Sequence, residues 1–482
     1  MTFGYRAIIL SFTAIMLLSV LNLGWLTYAQ QSTKQYLSQR QMRQDLKVLF
    51  NEIEQHSAFY SIQGLKLQKK ITQKINQIDK HFPHRISREH FGAETTKLMA
   101  LLADPGASVI QPDLKTSKLP IGLRPMQSQW LALNHQGETL NLEYPFLAHI
   151  DDIPISTWAL AAARYLPPQM RRSKNLLRPW LQQINILRHD IGLPQKTDVS
   201  ITLANSQGEY LKTQLPLAAN LLPIPPALAE LPKLNSDTPR VLRITDISRY
   251  QHSQKQRLAL QQAMLAPNLI LDLRQATGFS DWFVATLMKY DRVRRLNQDF
   301  VGFGRYRMAT DLRSDYLKPL RFTPLHQLSH TNERQAIRIT KDIDNTYSQD
   351  FSQWFARTLR FEPGFYLPLT NQLTLIIGPQ CRQDCQWLAY YAKRWSNAQL
   401  IGEATAGDLA RKYYIELPYS GLKISMSGSL SYDNQGQRIT GISTQPDIDI
   451  TFDEHSQWQS VIKLAEKQQR RQSAVLAAPS EQ

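Results

Sequence analysis

The chain has 482 residues, 42% of them hydrophobic and 20% charged, with a formal net charge of +16. Its length exceeds what one hydrophobic core usually holds, so roughly two or three domains are expected. Basic residues stand singly or in pairs such as Arg171-Arg172 and Arg294-Arg295, with no Lys/Arg block and no zinc-finger spacing. That distribution argues for a solvated basic surface and against nucleic-acid binding.

Arg6 precedes an uncharged run from Ala7 to Leu26. A helix of that length spans about 30 Å, the thickness of a bilayer core. Thr27 and Ala29 offer a small-residue cleavage site, whereas Trp25 and Tyr28 suit a membrane-interface anchor. Residues 1–30 therefore read as a signal-anchor or a signal peptide. Either exports the rest, which in a bacterium means a periplasmic domain on the inner membrane or a protein released into the periplasm.

Residues 36–111 read as a helical N-terminal domain. Leu46, Leu49, Phe50 and Ile53 recur at helical spacing, and a second amphipathic stretch runs from Leu65 to Ile78. A third begins at Ser87, an N-cap, and stops at Asp104-Pro105-Gly106. These stripes predict a small helical bundle. From 119 to 218 short alternating segments surround a helical section. FLAHIDDIPI (Phe146 to Ile155) and VSITLANSQGEYLKTQLPL (Val199 to Leu217) resemble a PDZ-like module. Such modules bind extended chain ends by adding them as a strand to a sheet edge. Residues 219–239 form a proline-rich linker. Residues 240–455 then alternate strand and helix, which argues for an α/β core. Residues 300–369 break that rhythm and read as an insertion or lid. The polar, Ala-rich stretch 468–482 reads as a disordered tail.

Four segments of the last domain carry a resemblance: VLRITDIS (Val241 to Ser248), LILDLRQATGFS (Leu269 to Ser280), GEATAG (Gly402 to Gly407) and GISTQPD (Gly441 to Asp447). In this order they resemble the core of the tail-specific (C-terminal processing) serine peptidases. The resemblance implies a crotonase-like core of stacked ββα units, no cofactor and no metal. It also implies where the working groups belong. Gln383 stands at the nucleophilic serine position, inside GPQCRQDCQWLAYYAKRW. Gly106 stands where one branch of the family has a histidine, and Asp408 where the other has a lysine. Gly278 and Asp384 fall on the oxyanion-binding turn and the helix start beside it. Gln386 replaces an acidic residue common in relatives.

A carboxamide forms no acyl-enzyme. These substitutions lead to the expectation of a catalytically silent homologue that binds extended peptides, protein C-termini or envelope proteins. The alternative is an active endopeptidase using displaced groups. Cys381 is then the first nucleophile to consider, ahead of Ser280 and Ser396. Cys381 and Cys385 can equally form a disulfide or remain structural thiols. Lys412, out of register for the base, reads as a surface lysine. His56, His81, His84, His90 and His252 lack partner motifs and read as surface or core residues.

Overall fold

The computed structural model describes residues 35–110, 118–126, 129–218, 240–291, 300–310, 322–343, 348–359 and 364–450, with isolated positions outside them. Strand β1 (Tyr36–Ser38) leads into helix α1 (Gln39–His56). Ser38 and Gln41 form a reciprocal capping box. Met42, Leu46, Leu49 and Ile53 form the buried stripe. Helix α2 (Ala58–His81) is kinked at Gly64, whose φ of 60° interrupts the helix. Strand β2 (Arg85–Ser87) pairs with β1. Ser87 then caps α3 (Arg88–Ala100), its side chain accepting from the His90 amide. Strand β3 (Ser108–Ile110) follows the Asp104-Pro105-Gly106 turn.

The helical unit is not a free-standing bundle. Its apolar stripes pack on Leu417, Leu422, Ile424 and Met426, more than three hundred residues away. Amphipathic periodicity reports that a face is buried but not what buries it.

The second unit contains β4 (Gly122–Met126), β5 (Gln129–Leu133), β6 (Phe146–Ile150), β7 (Ile153–Pro154), α4 (Ile155–Ala163), α5 (Lys174–Leu181), α6 (Ile184–Asp190), β8 (Asp198–Ala204) and β9 (Tyr210–Pro216). The strands pair antiparallel in the order β4-β5-β6-β8-β9, with β7 on β6. Val199, Ile201 and Leu203 alternate inward from β8 onto a core that includes Trp158. Arg188, fully buried, holds Asp151 of the FLAHIDDIPI turn at 2.7 Å.

The third unit runs through β10 (Arg240–Arg243), α7 (Arg249–His252), α8 (Gln254–Met264), β11 (Asn268–Asp272), α9 (Asp281–Leu287), β12 (Phe300–Tyr306), β13 (Phe322–Pro324), α10 (His330–Asp342) and β14 (Phe355–Thr358). It continues with β15 (Gln372–Ile377), α11 (Asp384–Ala392), β16 (Ala398–Gly402), β17 (Lys412–Glu416), β18 (Lys423–Ser427), β19 (Ser429–Asp433) and β20 (Ile448–Asp449). Strands β10-β11-β15-β16-β20 form a parallel sheet. Burial on both faces explains the near-continuous apolar runs LILD and LTLII. Strands β13-β14-β12-β19 form an antiparallel sheet, and β17-β18 recruit β3 from the helical unit. The chain is thus α/β, with a helical N-terminal region and a β-rich middle unit.

The reading of 300–369 as an insertion or lid needs correction. Strand β12 is buried along its whole length and pairs with both β14 and β19. Its Gly302 lets Trp387 pack closely: a Cβ there would lie 2.7 Å from the Trp387 ring. A strand buried on both faces and opened by glycines shows no alternation, so pattern alone conceals it. Among the described residues no helix is long and apolar enough to cross a membrane. The Ala7–Leu26 run lies outside the described residues apart from Met16, Leu18 and Ser19, as do 219–239 and 468–482.

Candidate functional site

Two turns leave neighbouring parallel strands and meet. After β11, the chain turns through Gln275 to Phe279. Gly278 there has φ 108°, and a Cβ would lie 2.8 Å from the Ser248 amide, so only glycine fits. After β15, the Cys381 amide donates to Gly378 O and the Arg382 amide to Ala276 O, both at 3.0 Å. Gln383 follows at φ 59° and ψ −121°, and α11 begins at Asp384. For a non-glycine residue such a conformation costs roughly 1–3 kcal/mol and persists only where the surroundings enforce it.

Those surroundings consume the turn's donors. The Gln383 side-chain Oε1 accepts from the Gly278 amide at 2.7 Å. The Asp384 amide donates to Gly278 O at 3.2 Å, and the Gln383 amide to Asp408 O at 2.5 Å. The two candidate oxyanion donors, at Gly278 and Asp384, are therefore both occupied from within the fold.

Gly106 borders the same cluster. A Cβ at this position would lie 2.6 Å from Ser427 Oγ, 3.1 Å from Asp408 Oδ1 and 3.2 Å from Asp104 Oδ1. Gly106, Asp408 and Gln383, far apart in sequence, thus converge through Asp408. Asp104 and Ser427 were not singled out by the sequence reading. Asp104 is completely buried. It accepts from Ser427 Oγ at 2.6 Å, from the Ser427 amide at 2.7 Å and from the Gly106 amide at 2.8 Å. Burial nevertheless pushes its carboxyl up to about 6, with the Asp408 charge adding to the effect and the three hydrogen bonds opposing it.

This raised value has a sign. A carboxyl that binds its proton more tightly when folded stabilises the fold below its unfolded value near 3.8 and loses that contribution as pH rises through 6. Asp104→Asn is expected to flatten the stability profile between pH 4 and 6, a change on the order of 3 kcal/mol. Urea melts at several pH values check this, and an unchanged slope in the variant would contradict it.

Other expectations change with the geometry. Cys381 and Cys385 are joined by a disulfide, with Cα atoms 5.2 Å apart, and both are fully buried. Cys381 as a fallback nucleophile is therefore corrected, since a sulfur held in a disulfide offers no thiolate. Lys412 is not a surface lysine: its side chain is 15% exposed, with Nζ 3.1 Å from Asp408 Oδ2. Arg382 reaches the same oxygen at 3.8 Å. Ser280 is buried as the N-cap of α9. Gln386 stitches the two diagnostic segments together, donating to Ile442 O and Thr444 Oγ1 and accepting from the Gly407 amide. Glu403 of GEATAG accepts from Ser173 Oγ and Asn175 Nδ2 of the middle unit. Beneath the site, Arg357 of β14, fully buried, donates to Asp384 Oδ1 at 2.8 Å, while Asp384 Oδ2 accepts from the Ser280 amide. Among the described residues no His, Cys, Asp or Glu side chains cluster as a metal site.

Residues 241–450 match the model for peptidase family S41. No curated protein matches the chain in sequence. Among solved structures, the chain is similar to mature CPAF, with a TM-score of 0.61 at 13% identity over 90% of this chain and 98% of that one. It is also similar to mature CPAF complexed with lactacystin, with a TM-score of 0.59 at 13% identity over 91% of this chain and 98% of that one. At such identity these likenesses speak for the fold.

Proposed function

We propose that this chain, whose residues 241–450 match the model for peptidase family S41, is a catalytically silent member of that family that binds extended peptides or protein chain ends. The observation that carries the reading is the Gln383 carboxamide seated on the Gly278 amide. A carboxamide cannot form the acyl-enzyme, and with the Asp384 amide also engaged, neither of these two donors is left for a developing oxyanion. Gly106 supplies no base, and Ser427 Oγ and the two carboxylates crowd the space a base would enter. What remains is a braced turn beside a PDZ-like unit, a combination suited to holding a chain rather than cutting it.

The setting we propose is the bacterial inner membrane, with Ala7–Leu26 as anchor and the remainder facing the periplasm among envelope proteins. The Cys381–Cys385 disulfide favours an oxidising compartment of that kind. Fractionation and protease accessibility in spheroplasts test the placement; cleavage of the chain only after cell lysis would remove it.

The silence is tested with purified protein. No hydrolysis of casein or of a mixed peptide library is expected, nor any labelling by fluorophosphonate or epoxide probes. Labelled peptides should still bind in fluorescence anisotropy. Robust turnover that Gln383→Ala leaves untouched would overturn both the silence and the role assigned to residue 383.

A further inference from the structure

Gln383 retains the strained backbone of a residue presented to a ligand, although it cannot attack one. Its carboxamide has two ends. Oε1 accepts the Gly278 amide, so Nε2, a donor only, is the end left to face outward from a half-buried side chain. Where a nucleophile would meet a peptide carbonyl carbon, this chain presents a donor suited to the carbonyl oxygen.

The charges around that donor are unevenly exposed. Asp104, Asp384 and Asp408 are all buried. The Arg382 side chain is 31% exposed. Its Nε has no hydrogen-bond partner among the described residues. The Arg411 guanidinium lies 4.1 Å over the ring of Phe279, which flanks Gly278. Lys412 stands at the rim, paired with Asp408. Asp246, 40% exposed, lies beside Gly278 but is paired with Arg249 at 3.1 Å, so the balance of exposed charge at this turn is positive and an anionic group approaching it is attracted.

We propose that this turn reads an extended peptide segment bearing a carboxylate, with Gln383 Nε2 donating to a backbone carbonyl and Arg382 engaging the carboxylate. The proposal rests on the peptide-binding reading above and gives it a ligand class. An acidic side chain and a free chain terminus present the same chemistry, so the experiment separates them.

Four labelled peptides of one sequence, each about ten residues long, carry Glu or Gln at the centre and a free or an amidated C-terminus. Their affinities for the full-length protein are measured by fluorescence anisotropy. At least one carboxylate-bearing pair should bind about tenfold more tightly than the peptide with neither carboxylate, and the advantage should shrink as salt is raised. Whichever pair shows it identifies the source. Arg382→Glu should abolish the advantage and Arg382→Lys should keep most of it. Gln383→Ala should weaken every peptide by about three- to tenfold, the scale of one lost hydrogen bond. Thermal melts check that each variant is folded, and Arg382→Lys serves as the conservative control. Peptides that bind equally whatever their charge, to wild type and all three variants alike, would overturn this proposal and leave the binding reading to the PDZ-like unit. Failure of all four peptides to bind would remove both, and cleavage of any of them would remove the silence.

Discussion

Arg357→Ala is expected to lower the unfolding free energy by roughly 3–5 kcal/mol, the range measured when one partner of a buried ion pair is removed. The Arg357 guanidinium is fully buried, 2.8 Å from Asp384 Oδ1 and 3.6 Å from Asp281 Oδ1, with the Trp387 ring 4.5 Å away. Burial alone opposes its charge, but the two carboxylates outweigh this and hold its pKa above the usual arginine value. Removing it takes the guanidinium away from the fully buried Asp384 carboxylate, in an interior where water cannot replace it. Because Asp384 opens α11 directly after Gln383, the same substitution should also loosen the site turn. Urea melts give the free energy, and hydrogen exchange at the Gly278 amide reports the turn. Neutralising both sides, as in Arg357→Met with Asp384→Asn, should recover part of the loss. A penalty below about 1 kcal/mol in the single variant would show that the pair is hydrated, and the account of the buried cluster would fail.

Restoring the serine alone is expected to restore nothing. Gln383→Ser releases the Gly278 amide from the carboxamide, yet leaves the new hydroxyl without a base. Loss of a triad nucleophile or base costs on the order of a millionfold in rate, and these losses do not add independently. Gln383→Ser should therefore remain indistinguishable from buffer in peptide hydrolysis. Gly106→His alone should destabilise the fold, because its Cβ would enter 2.6 Å from Ser427 Oγ, which is itself tied to Asp104. The smallest set for which turnover is expected is Gln383→Ser, Gly106→His and Ser427→Gly together, which supplies nucleophile, base and the space for the base. Detecting even slow acyl-enzyme formation in this set by fluorophosphonate labelling, with none in wild type, would show that the frame still aligns the groups. Turnover by wild type, or by Gln383→Ser alone, would mean that the base lies elsewhere.

Much of the local architecture was legible from side-chain chemistry. Ser87 caps its helix because its hydroxyl satisfies an amide three residues on. LILD and LTLII are parallel strands because both their faces are covered. GEATAG and GISTQPD, two of the segments that carry the resemblance, sit together. A Cβ at Gly407 would lie 2.7 Å from the Ile442 amide nitrogen, and the Gly441 amide donates to Gly407 O. The misreadings share a cause. Strand β12 showed no period because it has no solvent face. Lys412 looked like surface charge because its partner, Asp408, is buried by residues from other segments. The helical stripes could not announce that Leu422 and Met426 would cover them.

By itself, then, the sequence determined the element types, the unit order, the family resemblance and the absence of a serine at position 383, all of which depend on residue identity or short spacings. Tertiary structure alone decided what the substituted groups do. The Gln383 carboxamide meets the Gly278 amide across 105 residues, and Ser427 reaches Asp104 across 323. Hydrogen bonds and buried charges act only over a few ångströms, so their partners are set by how the parallel sheet and the helical unit bring distant turns together, and no local pattern encodes that meeting.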